Sequence, residues 1–367
     1  MPETRKGVES PLRIAMVAPL HESVPPKLYG GTERVVSYLT EELVRLGMDV
    51  TLYASGDSTT DARLKAVAPR GLRLDTDCHD RLSYHFAMIH DVIESADDFD
   101  VIHFHIDYLH YPASRAAGLT KQLTTLHGRL DLPELVPLYR RYDDMPLVSI
   151  SDAQRAPLAF ANWVATVHHG LPADLLPFAA EPRGYVAFLG RISPEKRPDR
   201  AIRIARAAGI PLKIAAKVDA DDQEYFDSEI EPMLAGGGVE FVGEIGEREK
   251  AAFLGGALAL LSPIDWPEPF GLVLIEAMAC GTPVIAWPHG SVPELVEQGV
   301  NGFMVEDEAE AARILRDIER FDRTLCRRAF DERFTARRMA LDYLDVYRQL
   351  IDSPAARPQA RPRPHSA

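Results

Sequence analysis

The sequence contains few cysteines and no long apolar run. Its 367 residues include only three cysteines, Cys78, Cys280 and Cys326, which lie far apart and form no CxxC pair. This odd, scattered set excludes a disulfide framework and is typical of a reducing compartment. No segment approaches the roughly 18 apolar residues that a membrane-spanning helix requires, and the acidic Glu3 and Glu9 argue against a secretory signal. We therefore predict a cytoplasmic protein without a transmembrane segment.

Positive charge is also in short supply. The chain has 41 Lys and Arg residues against 55 Asp and Glu residues, which gives a formal net charge of -14. This balance argues against a nucleic-acid partner, because nucleic-acid-binding surfaces are strongly basic. Any anionic ligand must then be held by a few placed groups rather than by a general positive field.

Two common phosphate-binding motifs are missing. The chain has neither the GxGxxG fingerprint of dinucleotide-binding folds nor the GxxxxGK[ST] loop of nucleoside triphosphatases. In the segment that follows the first apolar run, at 19–31, the only glycines are the adjacent Gly30 and Gly31. The sequence therefore disfavours a dehydrogenase and a P-loop enzyme.

Short apolar runs alternate with amphipathic stretches along nearly the whole chain, a pattern typical of parallel sheets with crossover helices. A chain of this length exceeds the size of a single core, so two domains are expected. We predict two doubly wound α/β domains, at 1–181 and 182–334, and a further helix over 335–350. Residues 351–367 are rich in proline and arginine and are predicted to be a disordered tail.

The first helix is predicted over 32–46, with Thr32 as its N-cap and Gly47 at its end. Gly31 comes directly before this helix. A glycine there lets the backbone approach a ligand closely. A plain turn and helix cap would explain the same residues equally well.

The most informative segment is WPEPFGLVLIEAMACGTPVIA, at 266–286. Its prolines predict an extended approach to a helix that begins after Gly271. The start of such a helix presents unpaired N–H groups, which attract phosphate and sugar oxygens; here they belong to Phe270, Gly271 and Leu272. Glu268 and Glu276 could then accept hydrogen bonds from one hydroxyl-rich ligand. The alternative is a proline-rich loop followed by a helix with one surface glutamate.

A basic loop, GRISPEKR at 190–197, follows the first apolar run of the second domain. In open α/β sheets, ligands bind at the carboxyl ends of the strands. Arg191 and Lys196 would supply a bidentate guanidinium and a point charge to a diphosphate there. The alternative is a solvated basic loop.

Together these segments resemble the family 4 retaining glycosyltransferases of GT-B fold, in particular the branch that includes avilamycin-type sugar transferases of oligosaccharide-antibiotic pathways. The resemblance follows the family's order over nearly the whole chain to about residue 350. It implies two Rossmann-like domains facing a cleft, with the last helix crossing back to the first domain. The motifs that carry it are YGGTERVV (29–36), TTLHG (124–128), SISDAQR (149–155), FLGRISPEK (188–196), FVGEIGEREK (241–250), EPFGLVLIEAMACGTPVIA (268–286) and GSVPELVEQGVNGF (290–303).

The resemblance implies how a nucleotide-sugar donor would be held. Arg191 and Lys196 would neutralise its diphosphate and stabilise the departing nucleoside diphosphate, in place of a metal. The N–H groups of Phe270, Gly271 and Leu272 would hold sugar hydroxyls and the phosphate. No cofactor and no essential metal are expected.

The resemblance also assigns the remaining contacts. Glu268 would bind the donor sugar, Glu276 the ribose hydroxyls and Gly31 the phosphate from across the cleft, while His127 would lie near the sugar. The implied reaction moves a hexose-type sugar from a nucleoside-diphosphate donor, UDP- or GDP-linked, to an acceptor hydroxyl with retention of configuration. The acceptor is not identified by the sequence.

Three positions depart from the family pattern. His168 and His169 precede Gly170 where the family often has Asn-Gly, Ala216 replaces a frequent glycine, and Arg197 stands where glycine is common. These departures bear on acceptor binding, base binding and loop shape respectively.

Other activities remain open from the sequence. A sugar phosphorylase, a nucleotide-sugar epimerase and a silent sugar-nucleotide-binding protein are possible on the same fold. From another class, His103, His105 and Asp107 match the HxHxD motif of binuclear metallohydrolases, and alternation along a strand would put both histidines on one face. The alternative, which we favour, is that they line the end of a strand beside the cleft.

Overall fold

A computed structural model describes residues 11–27, 30–73 and 75–352. In these ranges the first sheet has seven parallel strands in the order β3-β2-β1-β4-β5-β6-β7. Its strands are β1 (Arg13–Val17), β2 (Asp49–Ser55), β3 (Arg63–Ala68), β4 (Val101–Phe104), β5 (Gln122–Thr125), β6 (Leu147–Ser149) and β7 (Trp163–Thr166).

The second sheet has six parallel strands in the described residues, in the order β10-β9-β8-β11-β12-β13. They are β8 (Tyr185–Ile192), β9 (Leu212–Val218), β10 (Val239–Gly243), β11 (Ala257–Ser262), β12 (Val284–Ala286) and β13 (Gly302–Met304).

Helices connect the strands of both sheets, as parallel pairing requires. They are α1 (Gly31–Arg45), α2 (Arg81–Glu94), α3 (Tyr111–Ala117), α4 (Leu135–Arg141), α5 (Asp152–Arg155), α6 (Pro198–Ala208), α7 (Gln223–Tyr225), α8 (Glu231–Leu234), α9 (Glu247–Gly255), α10 (Leu272–Ala279), α11 (Val292–Leu295), α12 (Glu308–Asp317), α13 (Arg323–Arg333) and α14 (Ala336–Asp352). No helix in the described ranges is long and apolar enough to cross a membrane.

The central strands are largely buried because helices cover both faces of each sheet. All six residues of β11 (ALALLS) are buried, as are four of the five residues of β1. Parallel pairing in register brings the carboxyl ends of neighbouring strands to one edge. The segments that follow β1, β4 and β5 in one sheet and β8 and β11 in the other therefore meet between the two sheets.

The last helix crosses back to the first sheet, as the family resemblance implies. Tyr347 and Tyr343 of α14 are buried there. The Tyr347 hydroxyl bonds Nδ1 of His103 at 2.8 Å, and the Tyr343 hydroxyl bonds the Thr125 hydroxyl at 2.9 Å. The two-sheet α/β architecture with its returning helix is confirmed. This helix extends to Asp352, and the predicted tail beyond it lies outside the described residues.

The prediction of Thr32 as the first N-cap is wrong. The helix starts at Gly31, and Gly30 caps it without a side-chain hydrogen bond. Gly30 has a φ of +147°, and a Cβ there would lie 2.8 Å from the Cβ of Pro26. The backbone path into the helix thus requires a glycine, which places Thr32 within the first turn.

Three strands were not predicted from the sequence. β3 (RLKAVA) is an edge strand with mostly exposed or half-buried residues, so it lacks the apolar run by which central strands are detected. β7 has no fully buried residue, and β13 has only three residues. Both also lie at sheet edges.

Candidate active site

A cavity of about 880 Å³ lies between the two sheets, at the carboxyl ends of their strands. It is the position at which open α/β sheets bind ligands. All nine residues predicted for the site line this one cavity: Gly31, His127, Arg191, Lys196, Glu268, Phe270, Gly271, Leu272 and Glu276. The structure therefore brings together residues that are up to 245 positions apart in the chain, from Gly31 to Glu276.

The start of α10 forms one wall of the cavity. Gly271, its N-cap, has a φ of +82° and a ψ of +70°, a left-handed conformation that favours glycine. Two serine hydroxyls fix the segment before it: Ser151 of the first domain donates to the Pro269 carbonyl at 2.7 Å, and Ser291 donates to the Phe270 carbonyl at 2.6 Å. Both carbonyls are thus occupied by serine hydroxyls, and the N-terminus of α10, the positive end of the helix dipole, faces the cavity.

Glu276 lies in the second turn of α10 and is 2% exposed. Its Oε1 accepts a hydrogen bond from Nζ of Lys250 at 2.6 Å. Its Oε2 is buried and has no hydrogen-bond partner among the described residues. A buried carboxylate oxygen without a partner is costly in free energy, so this atom can accept a hydrogen bond from a donor group in the cavity.

Lys196 and Glu268 form an ion pair inside the cavity. The indole of Trp266 contacts both: its Nε1 donates to Glu268 Oε2 at 3.1 Å, and Lys196 Nζ lies 5.0 Å from the centre of its ring. Sequence reasoning gave Trp266 no role, since its partners become neighbours only in the fold.

Arg191 is surrounded by carboxylates. Its guanidinium lies 2.6 Å from Glu195, 3.7 Å from Asp219 and 3.5 Å from Asp222. These acidic residues neutralise the cation at the end of β8. An incoming diphosphate would compete with them for the same guanidinium.

The first domain closes the cavity from the other side. A Cβ on Gly31 would lie 3.8 Å from Leu272 Cδ1, so the starts of α1 and α10 face each other across the cleft. Further along α1, Arg34 and Tyr38 bond the carboxylate of Glu247 on α9, with the arginine at 2.5 Å. The two domains are thus directly connected at the rim of the site.

His127 is part of a group of histidines on the first domain. Its Nε2 lies 2.8 Å from Nδ1 of His105, and Nε2 of His105 lies 3.0 Å from the sulfur of Met16. The ring of His127 stacks on His169 with centroids 5.3 Å apart. Burial lowers the pKa of His127 to about 3, so its imidazole is neutral at physiological pH.

The structure does not favour the metallohydrolase hypothesis. His103 and His105 share one face, with ring centroids 4.0 Å apart. However, the two ring nitrogens of His103 bond the hydroxyls of Tyr347 and Thr125. Across the described ranges there is no group of three His, Cys, Asp or Glu residues placed to hold a metal ion.

Asp107 lines the cavity as well, three residues after the end of β4. It has a φ of +51°, which is uncommon for a residue other than glycine. Desolvation within the cleft raises the pKa of its carboxyl to about 6. The sequence pointed to this residue only as part of a metal motif, whereas the structure places it on the first-domain wall of the cavity.

Two family profiles match the chain. The profile described as Glycosyltransferase Family 4 matches residues 29–189, and the profile described as Glycosyl transferases group 1 matches residues 177–325. Together they cover both domains and every predicted site residue.

Curated relatives are matched over shorter stretches. D-inositol 3-phosphate glycosyltransferase of Streptomyces scabiei is 32% identical over 241 residues, which are 56% of this chain and 49% of that protein. The protein of the same name from Mycobacterium marinum is 33% identical over 132 residues, 33% of this chain and 26% of that one. The matches thus span about a quarter to a half of these relatives.

Solved structures share the fold over almost the full chain. AviGT4, a glycosyltransferase involved in avilamycin A biosynthesis, has a TM-score of 0.73 at 24% identity and covers 94% of this chain and 99% of its own. Sucrose-phosphate synthase from Thermosynechococcus elongatus has a TM-score of 0.71 at 22% identity, covering 92% and 99%. With both family profiles and this shared architecture, the predicted resemblance is confirmed, and the chain belongs to the family 4 glycosyltransferases of GT-B fold.

Proposed function

We propose that the protein transfers a hexose-type sugar from a nucleoside-diphosphate donor to an acceptor hydroxyl, with retention of configuration and without an essential metal. The observation that carries this proposal is the meeting of Lys196, Arg191 and the N-terminus of α10 in one cavity, beside Glu268 and Glu276. These groups provide cations for a diphosphate and oxygen acceptors for hydroxyls within a single site.

The two cations, Arg191 and Lys196, stabilise the negative charge that the reaction produces. Breaking a glycosyl–phosphate bond builds negative charge on the leaving diphosphate. Fixed cations and helix N–H groups stabilise charge where it develops, because they need no reorganisation. Arg191 and Lys196 supply the charges, and the N–H groups of Phe270, Gly271 and Leu272 supply the dipoles.

The carboxylates orient the donor. Glu268, at the end of the loop before α10, accepts hydrogen bonds from the donor sugar, and Oε2 of Glu276 accepts a bond from a ribose hydroxyl. Gly31 approaches the phosphate from the opposite wall, and His127 lies beside the sugar. Because burial lowers the pKa of His127 to about 3, its imidazole is a weak proton acceptor, and a leaving-phosphate oxygen takes the proton of the acceptor hydroxyl.

Binding of the donor exchanges ion pairs rather than creating them. When the donor binds, Lys196 pairs with a phosphate instead of Glu268. The carboxylate of Glu268 can then accept hydrogen bonds from the sugar hydroxyls. One event therefore prepares both contacts.

The three free cysteines support the further proposal that the protein works in the reducing cytoplasm.

A thermal-shift panel tests the function. UDP, GDP, ADP, TDP and their common sugar conjugates are added to the purified protein in EDTA, and the panel is repeated with zinc. A ligand that binds the native state raises the Tm by mass action. A rise with one nucleotide in EDTA supports a metal-independent donor site and identifies the base. No response to any nucleotide together with a clear response to zinc would contradict the proposal.

Product analysis then separates the activities that share this fold. The donor identified in the panel is incubated with candidate acceptors, and the anomeric configuration of the product is read by NMR. Retention with release of the nucleoside diphosphate supports the transferase. A requirement for inorganic phosphate would instead show a phosphorylase, and a changed donor sugar without transfer would show an epimerase.

A further inference from the structure

Arg197 adopts a backbone conformation that is unfavourable for its residue type. Its φ of 55° and ψ of 50° lie in the left-handed region. In the described ranges it shares a positive φ with only one other residue that is not glycine, Asp107. A strained residue persists when its surroundings over-determine it, and such residues cluster at functional sites.

The guanidinium of Arg197 bonds two carboxylates at once. Its Nε and Nη2 bind Asp199 in a bidentate pair at 3.0 and 2.9 Å. Its Nη1 binds Asp265 at 2.9 Å. The Asp265 carboxylate also accepts a longer bond from Arg200, at 3.4 Å, and lies 3.9 Å from His289. Among the described residues, its shortest side-chain contact is the one with Arg197.

This bridge joins the two loops that supply the ion pair of the cavity. Arg197 directly follows Lys196, and Asp265 stands three residues before Glu268. A backbone bond from the Asp265 N–H to the Glu195 carbonyl, at 2.8 Å, links the same two loops. Arg197 and Asp265 themselves are not among the described residues that line the cavity.

We propose that Arg197 is a positioning residue, which fixes the distance between the Lys196 and Glu268 loops without touching the donor. The left-handed backbone aims its guanidinium at both carboxylates. The inference rests on the proposed function for its effect on donor binding, while the loop geometry itself exists without a donor.

The indole of Trp266 reports this geometry directly. Its N–H donates to Glu268 and its ring faces Lys196, and the chain has only three tryptophans, so the indole N–H signals are readily resolved by NMR. In Arg197→Gly the left-handed backbone is retained but the bridge is lost. We expect the Trp266 indole signal to shift or broaden in the free protein, and Asp265→Asn to have the same effect.

Arg203→Ala is the matched control. Arg203 also binds Asp199, at 2.9 Å, but its other partner is Glu308 and it does not bridge the two loops. Its loss should leave the Trp266 signal in place. An unchanged Trp266 signal in both Arg197→Gly and Asp265→Asn, or equal changes in all three variants, would overturn the proposal.

Donor binding provides the second measurement. Titration with UDP and GDP should show affinity for the bound nucleotide weakened about tenfold or more in Arg197→Gly, since small displacements of positioned groups are costly, and unchanged affinity in Arg203→Ala. In turnover, KM for the donor should rise more than kcat falls. If the wild-type protein binds neither nucleotide, the UDP or GDP donor class fails, while the Trp266 signal still decides the role of Arg197.

Discussion

Lys196 and Glu268 meet from different loops, and each is the nearest opposite charge of the other. Their spacing of 72 residues is invisible to any local pattern, yet both could be predicted as site residues because each lies in its own motif. What the motifs could not show is that the two side chains pair in the free protein. That contact depends on the fold of β8 against β11.

Replacing either member of this pair should abolish most turnover. Lys196→Ala removes charge stabilisation of the leaving diphosphate, and Glu268→Ala removes a sugar contact, so kcat should fall about 10²- to 10³-fold in each. Steady-state kinetics with the donor found in the panel measures the loss. Lys213→Ala is the control, since Lys213 is also a cation of the second sheet but pairs with Glu240 away from the cavity. Wild-type kcat in either site variant would disprove the assignment.

Asp107 should make stability depend on pH. Its folded pKa of about 6 lies above the ordinary 3.8 because of desolvation, so the folded state prefers the protonated form. Ionisation therefore destabilises the folded protein as pH rises from about 4 through 6. The gain in Tm from Asp107→Asn should be larger at pH 7 than at pH 4.5, measured by calorimetry at both values. An equal gain at both would show that the carboxyl is not desolvated.

At the scale of elements, the best predicted parts were those with an unbroken apolar signal. The predicted and observed bounds of α10 differ by one residue, because LVLIEAMA is apolar nearly throughout and directly follows a glycine. The first helix was misplaced at its start, since the requirement for Gly30 comes from Pro26 packing against it. The histidine group around His127 could not be predicted either, because its members His105, His127 and His169 follow three different strands, β4, β5 and β7.

The contact of α14 with β4 should contribute measurable stability. Tyr347→Phe removes the hydroxyl that bonds His103 and leaves a fully buried ring nitrogen without that partner, which costs about 1–3 kcal/mol. We expect a Tm several degrees lower, with donor binding retained below the transition. Tyr108→Phe, at a 40% exposed tyrosine, is the control and should leave Tm unchanged. A Tyr347→Phe protein as stable as the wild type would refute this role for the hydroxyl.

At the scale of the whole molecule, the two domains are held together by contacts at the cavity rim. Glu247 of the second domain bonds both Arg34 and Tyr38 of the first. The side chain of Arg34 is only 7% exposed, so solvent screens the Arg34–Glu247 ion pair poorly. The contact links the start of α9 to α1 and favours the closed arrangement of the cleft.

Loss of this contact should open the molecule. Glu247→Gln weakens the bonds to Arg34 and Tyr38, and small-angle scattering of the free protein should then give a larger radius of gyration. Glu249→Gln is the matched control on the same helix, because the Glu249 carboxylate accepts a bond from the Gly246 N–H at the start of that helix. Identical scattering from Glu247→Gln and the wild type would mean that other contacts keep the cleft closed.

The returning helix also has a consequence for how the protein is made. His103 and its partner Tyr347 are separated by 244 residues, so the first sheet completes its packing only after the segment between them has been synthesised. Contacts of such long sequence separation slow folding. During synthesis the α14-facing surface of the first domain therefore stays uncovered until α14 is made, and the second domain, whose strands all lie between β7 and α14, is synthesised within that interval.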